Sequence, residues 1–253
     1  MALIKSGEFA EFSLAPRVAV AGVAQQGVDS FSTLSEATRE APFDNLGFAK
    51  TDEPRGLTLK KLHMGPKFQS FIARIFDLTS EVYFLAWAWD LSGAKVQGES
   101  PIYLYPGTVS PVDGTLIPMK GSEEREFLGS GVLLYPARRV TAGISLRLQL
   151  WESHSKERKF GETLQKVTSS IQKSQLNQVL TLVAGIGGVT TGTVALVEQA
   201  GLELVSVIGE VLKATSDDYV DYYEGYFPAS VPWEPEEQSW SGHASEIVLS
   251  RIE

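Results

Sequence analysis

The chain has 253 residues, 43% of them hydrophobic and 21% charged, an ordinary globular composition with enough apolar residues for a substantial core. Its net charge of −9 argues against nucleic acid as a partner, because phosphates are held by a basic surface that releases their counterions. The absence of cysteine excludes disulfides, thiol nucleophiles and cysteine-ligated zinc.

Residues 1–56 read as an irregular N-terminal arm. Glu8 and Glu11 interrupt any apolar run behind Lys5, so synthesis in the cytoplasm without a Sec-type signal is expected, with export by another route left open. Gly22 and Gly27 break the apolar patch at 16–23. The pattern Thr33-Leu-Ser-Glu36 is a capping box and predicts one short helix. Pro42, Asn45-Leu-Gly47 and Asp52-Glu-Pro-Arg-Gly56 then read as loop.

From Gly56 the apolar period becomes two, and strands are predicted at 57–59 and 69–78. In Val82-Tyr-Phe-Leu-Ala-Trp-Ala-Trp-Asp90, the residues Val82, Phe84, Ala86 and Ala88 share one face, and Tyr83, Leu85, Trp87 and Trp89 the other. An antiparallel sheet normally leaves one face wet, so the aromatic face needs a cover: the helices, the arm or another molecule. Trp87 and Trp89 are therefore candidates for partner contact. Further strands are predicted at 102–105, 115–119, 127–135 and 144–151. In the last, Ile144, Leu146, Leu148 and Leu150 point inward, and Ser145, Arg147 and Gln149 outward. An aromatic, acidic strand at 219–227, a proline-rich loop at 228–242 and a closing strand at 246–252 follow. The fold class is α+β: a mainly antiparallel β-sandwich from 57–152 plus 216–253, with a helical hairpin inserted at 153–215.

The hairpin carries the functional question. Residues 174–197 hold no charge, a length able to span a bilayer, and Gly188 and Gly192 have close-packing spacing. Against a span, Asn177, Gln178 and several threonines dilute the apolar residues, while Gly185, Gly187 and Gly188 break a helix. The second arm is amphipathic: Val194, Val197, Gly201, Leu204, Val205, Ile208 and Leu212 form one stripe, opposite Glu203 and Glu210. The first arm changes phase, from Leu164, Val167 and Ile171 to Leu176, Val179, Leu180 and Val183, which predicts a kink or break near Ser174. Two apolar faces need two partners, so a hairpin docked on its own sandwich or a neighbouring subunit is preferred over one in a bilayer. Leu176, Val179, Leu180, Val183, Ile186 and Val189 are the candidate partner or membrane contacts.

Catalytic signals are few. His63, His154 and His243 sit in separate segments without an oriented partner, and read as packing or surface residues. Gly185-Ile-Gly187-Gly188-Val-Thr190 has Thr190 where a dinucleotide loop needs its third glycine or alanine. Lys60, Lys61 and Lys67 read as a solvated strand end. The acidic set Asp217, Asp218, Asp221 and Glu224 is the candidate metal or acid–base site, since closely spaced oxygen ligands can converge on calcium or magnesium; the alternative is a polar helix exit whose tyrosines pack on the sheet.

Leu146-Arg-Leu-Gln-Leu-Trp-Glu152, followed by Phe160-Gly161-Glu162, resembles the late strand of a C2-type β-sandwich. The resemblance implies an eight-stranded sandwich whose end loops bind calcium, phospholipid or proteins. Glu152 stands where calcium-binding members carry aspartate, so no cofactor is expected and calcium is the ion left open. The reading is a non-enzymatic binding module whose hairpin contacts a protein partner, another copy of itself or, on a trigger, a membrane. The alternatives are a toxin or effector with a membrane-active hairpin and, third, an enzyme or metal protein built on the acidic cluster.

Overall fold

The computed structural model describes residues 3–7, 51–66, 68, 79–107, 115–141, 143–154, 157–186, 191–214, 217–229, 231–233 and 236–253. Along them run β1 (Leu3–Gly7), β2 (Arg55–Met64), β3 (Ser80–Asp90), β4 (Tyr103–Tyr105), β5 (Ile117–Met119), β6 (Glu124–Glu126), β7 (Val132–Arg138) and β8 (Gly143–Ser153). Helices α1 (Glu157–Lys173), α2 (Gln175–Ile186) and α3 (Thr191–Lys213) follow, then β9 (Asp218–Pro228), β10 (Glu237–Ser241) and β11 (Ser245–Ile252).

The strands form two antiparallel sheets. One has the order β1-β9-β8-β3-β4, with β5 also pairing β3. The other has the order β10-β11-β2-β6, with β7 also pairing β2. These sheets and the three helices make an α+β, mainly antiparallel β-sandwich. β3 is central because both its faces are apolar. Val82, Phe84, Ala86 and Ala88 meet Leu57, Leu59, Ile247 and Leu249 of the opposite sheet in the sandwich core. Tyr83, Leu85, Trp87 and Trp89 instead lie beneath α1, α2 and α3 in a second core. The described residues thus stack in three layers: sheet, sheet and helices.

The helical layer answers what covers the aromatic face. Trp87, Trp89 and Trp151 are fully buried. Each such side chain removes on the order of 200 Å² from water, roughly 5 kcal/mol at about 25 cal/mol/Å² as an upper bound. Gly201 lets α3 approach closely, since a Cβ there would stand 3.1 Å from the Trp89 ring. This corrects the assignment of Trp87 and Trp89 as partner contacts: their cover is intramolecular. Leu176, Val179, Leu180 and Val183 are buried in the same core, so they too face inward rather than toward a partner. The side chain of Ile186, and Val189 as a whole, lie outside the described residues.

Among the described residues the insertion holds three helices rather than two. The first arm breaks at Ser174, where the apolar stripe changes phase. There the Ser174 hydroxyl oxygen accepts a hydrogen bond from the Asn177 N–H (3.2 Å), capping α2. The predicted glycine turn at 187–190 lies outside the described residues. Among the described residues, no helix is long and apolar enough to cross a membrane.

The expectation that Ser145, Arg147 and Gln149 face water is also corrected: all three are buried under the helices. Their polar groups are matched from above. Ser145 Oγ donates to Glu198 of α3 (2.9 Å), and Gln149 donates to the Val205 carbonyl (3.3 Å) and accepts from the Trp151 indole (3.2 Å). Arg147 pairs with Glu198 and, across the sheet, with Glu224. Smaller differences concern strands. Leu3–Gly7 of the arm pairs with β9, β10 interrupts the proline-rich loop, and β2 extends through Lys60 and Lys61. The predicted short helix at 33–36, the strand at 69–78 and Lys67 lie outside the described residues.

Candidate functional site

The four carboxylates of the acidic cluster do not converge. Alternation along β9, reset by a bulge between Tyr219 and Asp221, sends them to different places. Asp217 turns toward the helical layer, accepting hydrogen bonds from the Tyr83 hydroxyl (2.8 Å) and the His154 N–H (3.1 Å). Burial, with the Asp217 charge beside it, pushes the Tyr83 hydroxyl far above the usual tyrosine range. Asp221 turns to the sandwich side, where its carboxylate accepts from the His243 N–H, the Ala244 N–H and the Ser245 hydroxyl at 2.9, 2.9 and 2.6 Å. It ties the β10–β11 turn of one sheet to β9 of the other. Glu224 is held by Arg147 at 2.8 Å. Of the four, only Asp218 is exposed, 3.0 Å from the His154 imidazole.

Among the described residues, ligand atoms of Glu152, His154 and Asp218 come within 4.8 Å of one another. Glu152 and Asp218 are cross-strand partners, and His154 lies two residues beyond Glu152. This set shares only Asp218 with the sequence-predicted cluster. His154 and Asp218 are exposed, and exposed groups of this kind are commonly solvated without an ion. His63 lies partly buried on β2, and His243 contributes its backbone N–H to the Asp221 bracket.

A concave feature lies elsewhere, at the seam where the helical layer meets the β4 edge of the first sheet. It is a cavity of about 480 Å³, within the size range of small-molecule sites. Buried Ile102, Leu104 and Ile171 supply apolar surface, and Gln97, Gln172 and Asn177 supply amides. No family model matches the chain, and no curated protein matches it. The functional reading therefore rests on this geometry.

Two local structures build the cavity. On the sheet side, Gln97 and Ser100 form an antiparallel bridge around Gly98-Glu99, and Gly98, at φ 58°, supplies the left-handed conformation this tight turn needs. The turn presents Gln97 to the sheet edge, where its Oε1 accepts the Leu104 N–H (2.9 Å). Ser100 Oγ accepts from the Ile102 N–H (3.1 Å). On the other side, the break at Ser174 separates α1 from α2, so Thr168 and Gln172 line the cavity from one helix and Asn177 from the next. Asn177 Nδ2 donates to the Gln172 carbonyl (3.0 Å), while its buried Oδ1 has no donor among the described residues.

The charge balance of the lining is simple. Among the described residues, no lysine, arginine or histidine lines the cavity, and its one carboxylate, Glu99, is ion-paired with Lys95. Sequence reasoning missed this site because its polar residues are, apart from Glu99, uncharged, the composition of any loop or helix surface. The signal available was a glycine turn, Gln97-Gly-Glu-Ser100, directly before an edge strand.

Proposed function

We propose that this protein is a non-enzymatic binding module that takes a small molecule in the cavity between the β4 edge and the α1–α2 junction. The observation that carries the reading is the cavity itself: about 480 Å³, with buried apolar side chains beside uncharged amides and hydroxyls. The helical insertion then has two roles, covering the aromatic face of β3 and supplying one wall of the site. A catalytic role finds less support, because among the described residues no titratable pair faces into the lining.

The C2-like outline belongs to this reading only as a comparison of architecture. A two-sheet antiparallel sandwich supports it; eleven strands among the described residues in place of eight, and a helical layer over one sheet, depart from it.

A fluorine-NMR fragment screen on the full chain tests the reading. Gln172 is exposed on the cavity rim, so Gln172→Trp fills the space without disturbing a core; Lys166→Trp, exposed on the same helix away from the lining, is the control. The expected result is a set of fragments whose binding is lost in Gln172→Trp and kept in Lys166→Trp. Fragments that bind all three proteins equally, or no bound fragments, would overturn the reading.

A further inference from the structure

We infer that the ligand of this cavity is a neutral, hydroxyl-rich molecule of about disaccharide size, an assignment that rests on the binding reading above. Charge decides the first part. With no cationic side chain among the described lining residues, a phosphate or carboxylate on the ligand meets neutral donors there but no opposite charge to offset its desolvation. A cationic ligand fares no better, since Glu99 is engaged by Lys95 and lies at the exposed turn.

The polar groups decide the second part. Gln97 is oriented by the Leu104 N–H at its Oε1, which makes the amide Nε2 the donor of the pair. A Cβ on residue 107 would stand 2.9 Å from that Nε2, so glycine there gives the amide room. Ser100 Oγ, while accepting from Ile102, keeps its own proton to donate. Thr168 donates to the Leu164 carbonyl, which leaves its oxygen lone pairs as acceptors. Gln172 on the rim offers both a donor and an acceptor. Donors and acceptors thus share the lining with apolar Ile102, Leu104 and Ile171, which matches a sugar ring whose hydroxyls form both kinds of bond and whose C–H faces are apolar. A wholly apolar ligand would desolvate these polar groups without replacing their hydrogen bonds with water.

An extended peptide is disfavoured by the same Gln97. Strand addition to β4 needs its outward N–H groups, and the Leu104 N–H is already capped. A compact ligand that sits on side chains meets no such obstacle.

Isothermal titration and saturation-transfer NMR on the full chain, with maltose, cellobiose and diacetylchitobiose, test the assignment. Glucose against glucose 6-phosphate provides the charge arm, and neutral N-phenyl-1-naphthylamine the apolar arm. The expected result is binding of at least one neutral disaccharide, weakened about three- to tenfold by Gln97→Ala, the loss of about one hydrogen bond, and abolished by Gln172→Trp. Tighter binding of the phosphorylated sugar, or binding of the naphthylamine alone, overturns the ligand class and leaves the cavity reading standing. If every probe fails while fragments still occupy the cavity, the ligand class falls alone; if fragments fail too, both fall.

Discussion

Arg147 on β8 and Glu198 on α3 meet at 2.5 Å beneath the helical layer. The guanidinium is fully buried, also pairs with Glu224 at 2.8 Å, and lies 5.2 Å from the Trp89 ring. One cation therefore holds a helix, its own sheet neighbour and an aromatic ring. Arg147→Ala leaves two carboxylates without their shared cation, Glu198 keeping the Ser145 hydroxyl, and roughly 3–5 kcal/mol of stability is expected to be lost. Glu198→Ala is expected to cost less, about 1–2 kcal/mol, because Glu224 remains and the Glu198 side chain is 35% exposed. Urea unfolding of both variants measures this. An Arg147→Ala cost no larger than that of Glu198→Ala would show that the pair does not anchor the layer.

Gly93 fixes the other end of the helices. Its φ is 65°, and a Cβ there would lie 1.9 Å from the Leu180 carbonyl oxygen and 3.0 Å from the Ala184 nitrogen, both backbone atoms of α2. Gly98 has a similar φ of 58°, but a methyl added to it would meet nothing within 4 Å. Gly98→Ala is expected to cost about 1 kcal/mol, from conformation alone. Gly93→Ala adds a backbone collision and is expected to cost about 3 kcal/mol or more, or to prevent folding. Equal thermal shifts in the two variants would mean that α2 does not seat on this loop.

The fold was legible where side chains repeat. Alternation in 82–90 identified both faces of β3, and the phase change at Ser174 located the helix break. It failed for Ser145, Arg147 and Gln149, because a polar face buried under a helix has the same pattern as one facing water. What distinguishes the two is Glu198 and the Val205 carbonyl, more than 50 residues away in the chain. The acidic cluster misled for a local reason. Strand alternation sends neighbouring carboxylates to opposite faces, and one bulge changes which of them share a face, which spacing alone does not reveal. Of the cavity, the sequence reading touched Ile102 and Leu104 as part of a strand, Ile171 as core and Asn177 as a polar dilution of the helix. The site depends on a turn and a helix junction meeting across some 75 residues.

Asp90 gives a pH signature. It is buried at the end of β3, and burial pushes its carboxyl above the usual aspartate range, against the opposing effect of hydrogen bonds from Ser92 and Tyr135 and of the Arg138 charge. With its pKa higher in the folded state, the native protein binds more protons than the unfolded chain. Stability from this group is therefore fully present below the unfolded pKa and is lost as pH rises through the raised value. Asp90→Asn removes that loss while keeping an oxygen for Ser92. The variant is expected to gain on the parent as pH rises from about 4 to 7. Unfolding free energies across that range measure the difference, and a gap that narrows with rising pH would contradict the direction.

Asp221 and Asp218 separate a structural role from a metal role. The Asp221 carboxylate satisfies two backbone N–H groups and one hydroxyl at the β10–β11 turn, while the Asp218 side chain is 75% exposed beside His154. Gly242 is packed against the Asp221 bracket, where a Cβ would meet the carboxylate at 2.6 Å. Asp221→Ala is expected to cost about 2–4 kcal/mol, with two N–H donors left unmatched. Asp218→Ala is expected to stay within about 0.5 kcal/mol of the parent. Neither difference should change when Tm is measured in calcium rather than in EDTA, because the hydrogen bonds that carry the cost involve no ion. A calcium-dependent rise in Tm that Asp218→Ala abolishes would instead make this strand end a metal site, with Glu152 and His154 as its remaining ligands.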